Sequence, residues 1–198
     1  RDPENVSTTW QIDAYKFDLP MLAAPMDSVV SPETAIAIGK LGGLGVLNLE
    51  GLWTRYDDPR IPLGEIASMP DKHATKRMQE IYAAPIRPEL IKERIQQIRD
   101  AGVTVAASLS PARTAEFHKA VIAAGVDIFV IRGTTVSAEH VAAENEALNL
   151  KKFIYELDVP VIVGGVATST AALHLMRAGA AGVLVGFGGG ATHTTRKV

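Results

Sequence analysis

The sequence predicts an α/β fold built on a parallel sheet, either doubly wound or closed as a barrel. Three observations predict it. First, a unit made of a helical pattern, a glycine and a short apolar run recurs along the chain. It appears as Leu41-Gly42-Gly43-Leu44-Gly45-Val46-Leu47, as Ala101-Gly102-Val103-Thr104-Val105-Ala106, as Ala124-Gly125-Val126-Asp127-Ile128-Phe129-Val130-Ile131 and as Ala178-Gly179-Ala180-Ala181-Gly182-Val183-Leu184-Val185. Second, these runs are short, rich in β-branched residues and not alternating, which is the pattern of strands buried on both faces. Third, 47% of the 198 residues are hydrophobic and 21% charged. A domain of this size buries roughly 70% of the surface its unfolded chain exposes, so no disulfide or metal is needed to hold it.

Taken in order, Leu19-Pro20-Met21-Leu22-Ala23-Ala24 opens the strand series. Ser31-Pro32 then reads as a helix N-cap followed by proline at the first helical position, with Glu33 and Thr34 in the first turn, and starts a helix over 32–40. Gly42 can end that helix in the left-handed conformation, as Gly102, Gly125 and Gly179 can in the later units. Residues 52–88 break the rhythm with Pro59, Pro62, Pro70, Pro85 and Pro88 and one helical pattern at 73–83. They read as a surface elaboration on the helix side of the second unit, with Trp53 and Tyr56 available for a subunit contact. Helical patterns resume at 89–100, at 112–124 (where Ser110-Pro111 repeats the capping device), and at 137–146, 150–157 and 168–178. Val159-Pro160-Val161-Ile162-Val163-Gly164 is a further strand, which makes six. Six strands cannot close an eight-stranded barrel, so on the barrel reading two βα units lie beyond Val198.

Composition excludes several classes of function. The formal net charge is −2 with both signs interspersed, which argues against nucleic acid or an anionic membrane as the main partner. The chain has no cysteine, so it has no disulfide, thiolate metal site or thiol nucleophile. No apolar stretch approaches the ~20 residues of a membrane helix, and no basic start followed by an apolar run marks a signal peptide. The expected location is cytoplasmic. The histidines His73, His118, His140, His174 and His193 show no metal-ligand spacing.

In parallel α/β barrels the working residues sit at strand C-termini and in the loops that follow. Three segments occupy such places. In Ala24-Pro25-Met26-Asp27-Ser28-Val29, Pro25 fixes a turn and Met26 offers a polarizable contact to a flat ring, although the segment also reads as a plain turn into the next helix. In Val163-Gly164-Gly165-Val166-Ala167-Thr168 the paired glycines let a ligand approach the backbone, or simply make a tight turn. Gly186-Phe187-Gly188-Gly189-Gly190-Ala191-Thr192-His193-Thr194-Thr195-Arg196 is the most informative of the three. Its glycines can aim backbone N–H or C=O groups inward to hold a phosphate or a monovalent cation, with hydroxyls and a basic residue close behind.

Together these segments resemble the IMP dehydrogenase/GMP reductase family along nearly the whole chain. Ala24-Pro25-Met26-Asp27-Ser28-Val29 resembles the family's S-P-M-D-[ST]-V, and Ala35-Ile36-Ala37-Ile38-Gly39-Lys40-Leu41-Gly42-Gly43-Leu44-Gly45 resembles its A-I-A…G-G-[IL]-G. Gly164-Gly165-Val166 resembles G-G-N-V, and Gly188-Gly189-Gly190-Ala191-Thr192-His193-Thr194-Thr195-Arg196 resembles G-P-G-S-[IA]-C-T-[TS]-R. The resemblance implies a (β/α)8 TIM barrel, of which about six βα units lie in this chain. Residues 1–198 would be one barrel domain truncated at its C-terminus, with 52–88 standing in place of a regulatory module.

The resemblance also implies a purine mononucleotide (IMP, XMP or GMP), NAD or NADP as cofactor, a potassium ion and a homo-oligomer, a tetramer in active members. In that family a cysteine thiolate attacks C2 of the purine or displaces its amino group, and hydride passes between that carbon and the nicotinamide. His193 stands where the nucleophile belongs, and Thr195 matches a threonine that assists acid–base steps. Gly188 and Gly190 match carbonyl ligands of potassium, Met26 matches a contact to the purine ring, and Ala24 sits where a serine often touches the nucleotide. Asp27, Gly164, Gly165, Gly190 and Ala191 fall in the substrate-binding segments, and Arg132-Gly133-Thr134 falls where the cofactor binds.

The departures are confined to the site. His193 replaces Cys, Ala191 a phosphate-binding Ser, Val166 an Asn, Leu184 an Arg, and Arg132 an Asp that meets the nicotinamide riboside. A neutral imidazole is a far poorer covalent partner than a thiolate, but with an ordinary pKa near ~6.5 it can exchange a proton or hydrogen-bond a nucleotide. Three functions follow: an oxidoreductase working without the covalent cysteine, a catalytically silent nucleotide-binding relative with a regulatory or assembly role, or a barrel redirected to another phosphorylated ligand with Arg132 as its anion contact.

Overall fold

The structure, a computed structural model, describes residues 2–133 and 150–187. The four glycines predicted to end helices all adopt positive φ, at 85° for Gly42, 72° for Gly102, 86° for Gly125 and 101° for Gly179. After each of them the chain turns back into a strand of one parallel sheet. That sheet holds β3 (Leu22–Ala23), β4 (Leu44–Asn48), β5 (Ala106–Leu109), β6 (Ile128–Arg132), β7 (Val161–Val166) and β8 (Gly182–Val185), hydrogen-bonded in the order of the sequence. The strands start a few residues later than the apolar runs, whose leading residues form the helix-to-strand turns.

Between the strands lie α1 (Pro32–Lys40), α4 (Pro88–Asp100), α5 (Pro111–Ala123), α6 (Leu150–Glu156) and α7 (Ser169–Arg177). Alternate strand residues point to opposite faces, and the two faces bury different partners. On one face Leu47, Ala107, Leu109, Phe129, Ile131 and Val163 pack with Ala35 of α1, Ile91, Ile95 and Ile98 of α4, Phe117 and Val121 of α5, Phe153 of α6 and Leu175 of α7. On the other, Leu44, Val46, Ala106, Ile128, Val130 and Ile162 meet, among the described residues, only strand residues and an N-terminal hairpin.

This asymmetry decides between the two α/β architectures. A doubly wound sheet carries helices on both faces and reverses its strand order at a switch point. Here the order never reverses and the described helices share one face, so the winding is that of a barrel. The curl shows in one contact: Nη2 of Arg132 lies 3.4 Å from the carbonyl of Pro25, just past β3. In a flat sheet, β3 and β6 would stand roughly 14 Å apart.

The hairpin, β1 (Trp10–Ile12) and β2 (Tyr15–Phe17), pairs Trp10 with Phe17 and turns at Asp13, whose φ is 52°. Trp10 stacks on Phe17 at 4.5 Å, and Ile12 packs toward Gly182. Tyr15 donates its hydroxyl to Asp127 at 3.4 Å, which fixes the hairpin at the N-terminal end of the strands.

The excursion holds two helices, α2 (Arg60–Ser68) and α3 (Asp71–Tyr82), where the sequence predicted one. Pro62 sits at the third position of α2, where its missing N–H has no intrahelical acceptor to lose. Trp53 is buried in the main core rather than offered to a subunit, and Tyr56 donates to the carbonyl of Ile81 at 2.8 Å. Arg94 of α4, buried with 8% exposure, donates to the carbonyls of Trp53 at 3.1 Å and Asp57 at 2.7 Å. These bonds to backbone acceptors, with the Glu93 carboxylate at 2.7 Å, are what allow a guanidinium to stay inside. The helix predicted at 137–146 lies outside the described residues.

Candidate functional site at the strand C-termini

All six strands are parallel, so their C-terminal ends and following loops form one rim. Its inner face receives Asn48 from β4, Ser108 from β5, Arg132 from β6 and Leu184 from β8; the register sets Asn48 beside Ser108 and Arg132 beside Gly164. Below them the inner face is apolar, so polar groups begin only where the strands end. Asn48 accepts the Glu50 amide at 3.1 Å, and the Glu50 carboxylate accepts the amide of Ser110 at the start of α5.

The loop after β3 projects into this rim. Pro25 is buried, while Ala24 and Met26 are exposed, Met26 at 49%. Across from it Arg132 is exposed, with its guanidinium near the Pro25 carbonyl. An exposed thioether and a positive charge therefore stand at the same rim, a pairing suited to a flat ring that carries an anionic substituent. Asp27 lies in the same loop, but its carboxylate is taken up by protein donors: the Leu52 amide at 2.9 Å and the Tyr82 hydroxyl at 2.6 Å, both on Oδ2. Burial, and then the hydrogen bond to Asp27, raise the pKa of the Tyr82 phenol, keeping it a donor.

The paired glycines of β7 have a packing reason. A Cβ on Gly164 would stand 2.4 Å from that of Leu184, and one on Gly165 would stand 2.3 Å from the carbonyl oxygen of Gly186. Nearby amides are committed as well. Gly133 donates to Gly164 at 2.8 Å, Gly165 to Gly133 at 2.9 Å, and Gly186 to Val166 at 2.7 Å. Leu184 of β8 and the residues just after that strand thus stand against the two glycines. What Gly133 and Gly165 leave for a ligand is a backbone surface with their amides already donated.

Of the residues singled out from sequence, the structure brings Ala24, Met26, Arg132, Gly133, Gly164 and Gly165 to this rim. Thr134, Gly188, Gly190, Ala191, His193 and Thr195 lie outside the described residues. Among the described residues no group of three or more His, Cys, Asp or Glu side chains is placed to hold a metal ion, and no helix is long and apolar enough to cross a membrane. Sequence reasoning missed Asn48, Ser108 and Tyr82. A polar residue closing an apolar strand run was a usable signal for Asn48, whereas nothing near Tyr82 in the sequence points to Asp27.

The chain matches the IMP dehydrogenase / GMP reductase domain over residues 2–198. It belongs to that family. An uncharacterized oxidoreductase of Mycolicibacterium smegmatis is 48% identical over 200 residues, covering 98% of this chain and 53% of its own. One from Mycobacterium tuberculosis is 50% identical over 193 residues, covering 95% and 52% respectively. The crystal structure of an IMP dehydrogenase/GMP reductase-like protein from Corynebacterium glutamicum superposes with a TM-score of 0.89 at 49% identity, over 95% of this chain and 50% of that one. The chain thus spans about half the length of the curated relatives it matches. For a member of the IMP dehydrogenase/GMP reductase family, a sequentially wound α/β barrel with about six βα units here is the expected architecture.

Proposed function

We propose that this chain forms the nucleotide side of an oxidoreductase acting on a purine 5′-monophosphate (IMP, XMP or GMP) with NAD or NADP as cofactor. The observation that carries the proposal is the rim itself, where exposed Met26 and the Arg132 guanidinium both stand beside Pro25 at the C-terminal ends of the strands. Family membership, and close relatives named as oxidoreductases, support it. On this reading Ala24 and Met26 meet the nucleotide, with Gly164, Gly165, Gly190 and Ala191 along its path, while Asp27 serves from behind the loop. The residues at hand fit a nicotinamide dinucleotide: Arg132, exposed at the rim and followed in sequence by Gly133 and Thr134, supplies a cation, and such a cofactor carries a pyrophosphate. When bound, the nicotinamide exchanges hydride with purine C2. The chain's own residues bind, orient and move protons: in the direction from IMP to XMP, His193 and Thr195 would take the proton of the water whose oxygen bonds to C2 as the C2 hydrogen leaves as hydride, since this chain offers no thiolate to hold that carbon. Potassium on the carbonyls of Gly188 and Gly190, and a homotetramer, belong to the same proposal.

A second reading keeps the nucleotide and drops turnover. The missing cysteine favours it, since an imidazole does not replace a soft nucleophile. Calorimetric titration of the full-length protein with IMP, XMP and GMP, followed by absorbance at the reduced-nicotinamide band, tests both. The expected result is saturable binding of one nucleotide, an affinity for the nicotinamide cofactor weakened about tenfold in Arg132→Ala, and an absorbance change that is lost in His193→Ala. Binding without an absorbance change selects the silent relative. Failure to bind any of the three nucleotides overturns both readings.

A further inference from the structure

The end of α3 reaches the rim loop. Tyr82, its last residue, donates to Oδ2 of Asp27 at 2.6 Å, within the short range typical of a hydroxyl on an ionised carboxylate. The Leu52 amide adds a second donor to the same oxygen at 2.9 Å. The other carboxylate oxygen, Oδ1, is buried without a hydrogen-bond partner. It lies against Gly51 so closely that a Cβ there would come within 1.7 Å of it. One carboxylate therefore gathers three segments: the 24–28 loop, the chain just after β4, and the end of the excursion. Among the described residues, the remaining ties of that loop are weaker or internal. The Arg132 contact to Pro25 spans 3.4 Å, at the edge of hydrogen-bond length, and Met26 and Val29 bond only within the turn. Neighbouring bonds of the excursion serve other ends: Tyr56 binds the Ile81 carbonyl at 2.8 Å, and the Arg87 amide binds the Thr54 carbonyl at 2.8 Å.

We propose that Tyr82 is a positioning residue which, acting through Asp27, holds the 24–28 loop where Ala24 and Met26 meet a purine mononucleotide. The excursion is then part of the site's support rather than a decoration, although it sends no side chain to the ligand. This inference rests on the nucleotide reading above. The test uses the full-length protein and calorimetric titration with IMP, XMP and GMP for wild type, Tyr82→Phe, Asp27→Asn, the double variant and Tyr56→Phe, with urea unfolding of each. Tyr82→Phe is expected to weaken binding about tenfold. Asp27→Asn, which keeps an acceptor for the phenol, loses less, and the double variant binds within about twofold of Tyr82→Phe because the two residues act as one unit. Tyr56→Phe, which also loses a phenol bond within the excursion, lowers the unfolding midpoint and leaves affinity unchanged. If wild type binds and Tyr82→Phe binds equally well, or if Tyr56→Phe weakens binding as much as Tyr82→Phe does, the inference falls and the nucleotide reading stands. If wild type binds none of the three, both fall together.

Discussion

A Cβ added at Gly45 would stand 2.6 Å from the Cα of Ala35, because α1 crosses β4 at that point with no side chain between them. At Gly64, in the middle of α2, the same atom would meet nothing within 4 Å. These two sites make opposite predictions from one substitution. Gly45→Ala must push α1 off the sheet and is expected to destabilise by about 1–3 kcal/mol, the usual cost of overpacking. Gly64→Ala removes unfolded-state freedom from an exposed helix position and is expected to stabilise by about 0.5–1 kcal/mol. Urea titration of both variants reads the difference, and a Gly64→Ala variant less stable than wild type would contradict the open space seen there. The sequence alone could not separate such cases. The paired Gly164 and Gly165 suggest a ligand approach in the sequence, and the fold adds a packing reason that no local pattern carries, since Leu184, Gly186 and Phe187 stand where their Cβ atoms would be.

Helix starts show how far local chemistry carries. The sequence predicted the same cap at Ser31-Pro32 and at Ser110-Pro111. The structure builds the side-chain bond only at the first, where Ser31 Oγ accepts the Thr34 amide at 3.0 Å. At the second, the Ser110 amide is held by the Glu50 carboxylate from the preceding loop. Ser31→Ala is therefore expected to cost about 1 kcal/mol and Ser110→Ala only a few tenths, on the order of a surface change. Equal losses in equilibrium unfolding would refute the distinction. Elements governed by neighbours in sequence, such as α1, α4, α5 and the glycine-ended turns, were legible. The β1–β2 hairpin lies outside the predicted elements, although Trp10-Gln11-Ile12 and Tyr15-Lys16-Phe17 alternate around Asp13-Ala14 with the period of two expected of a hairpin. Helix α2 was hidden because Pro59 and Pro62 read as breakers, when a proline in a first turn breaks nothing.

At the scale of the molecule, strict strand–helix alternation revealed a parallel sheet but not its closure, since an apolar run looks the same in a doubly wound sheet and in a barrel. Only the sharing of one face by the helices, and the reach of Arg132 to Pro25, show the curl. Two phenols then tie peripheral segments to opposite ends of this barrel: Tyr15 fastens the hairpin to Asp127 at the N-terminal side, and Tyr82 fastens the excursion to Asp27 at the C-terminal side. In each case burial, reinforced by the facing carboxylate, raises the phenol's pKa above its ordinary value. A group that holds its proton more tightly when folded contributes its full stability below the unfolded pKa. That contribution is lost as pH rises from there toward the folded value, because the unfolded chain then releases protons the folded one retains. The urea midpoint should therefore stay level through mildly alkaline pH and fall once pH passes about 10, where unfolded tyrosines ionise. Tyr15→Phe and Tyr82→Phe should each lower the midpoint at neutral pH while flattening the alkaline decline, and the double variant should be flattest. Lysines titrate in the same range but are common to all four proteins and cancel in the comparison. An alkaline slope unchanged by both substitutions would show that these two phenols do not fasten the barrel's ends.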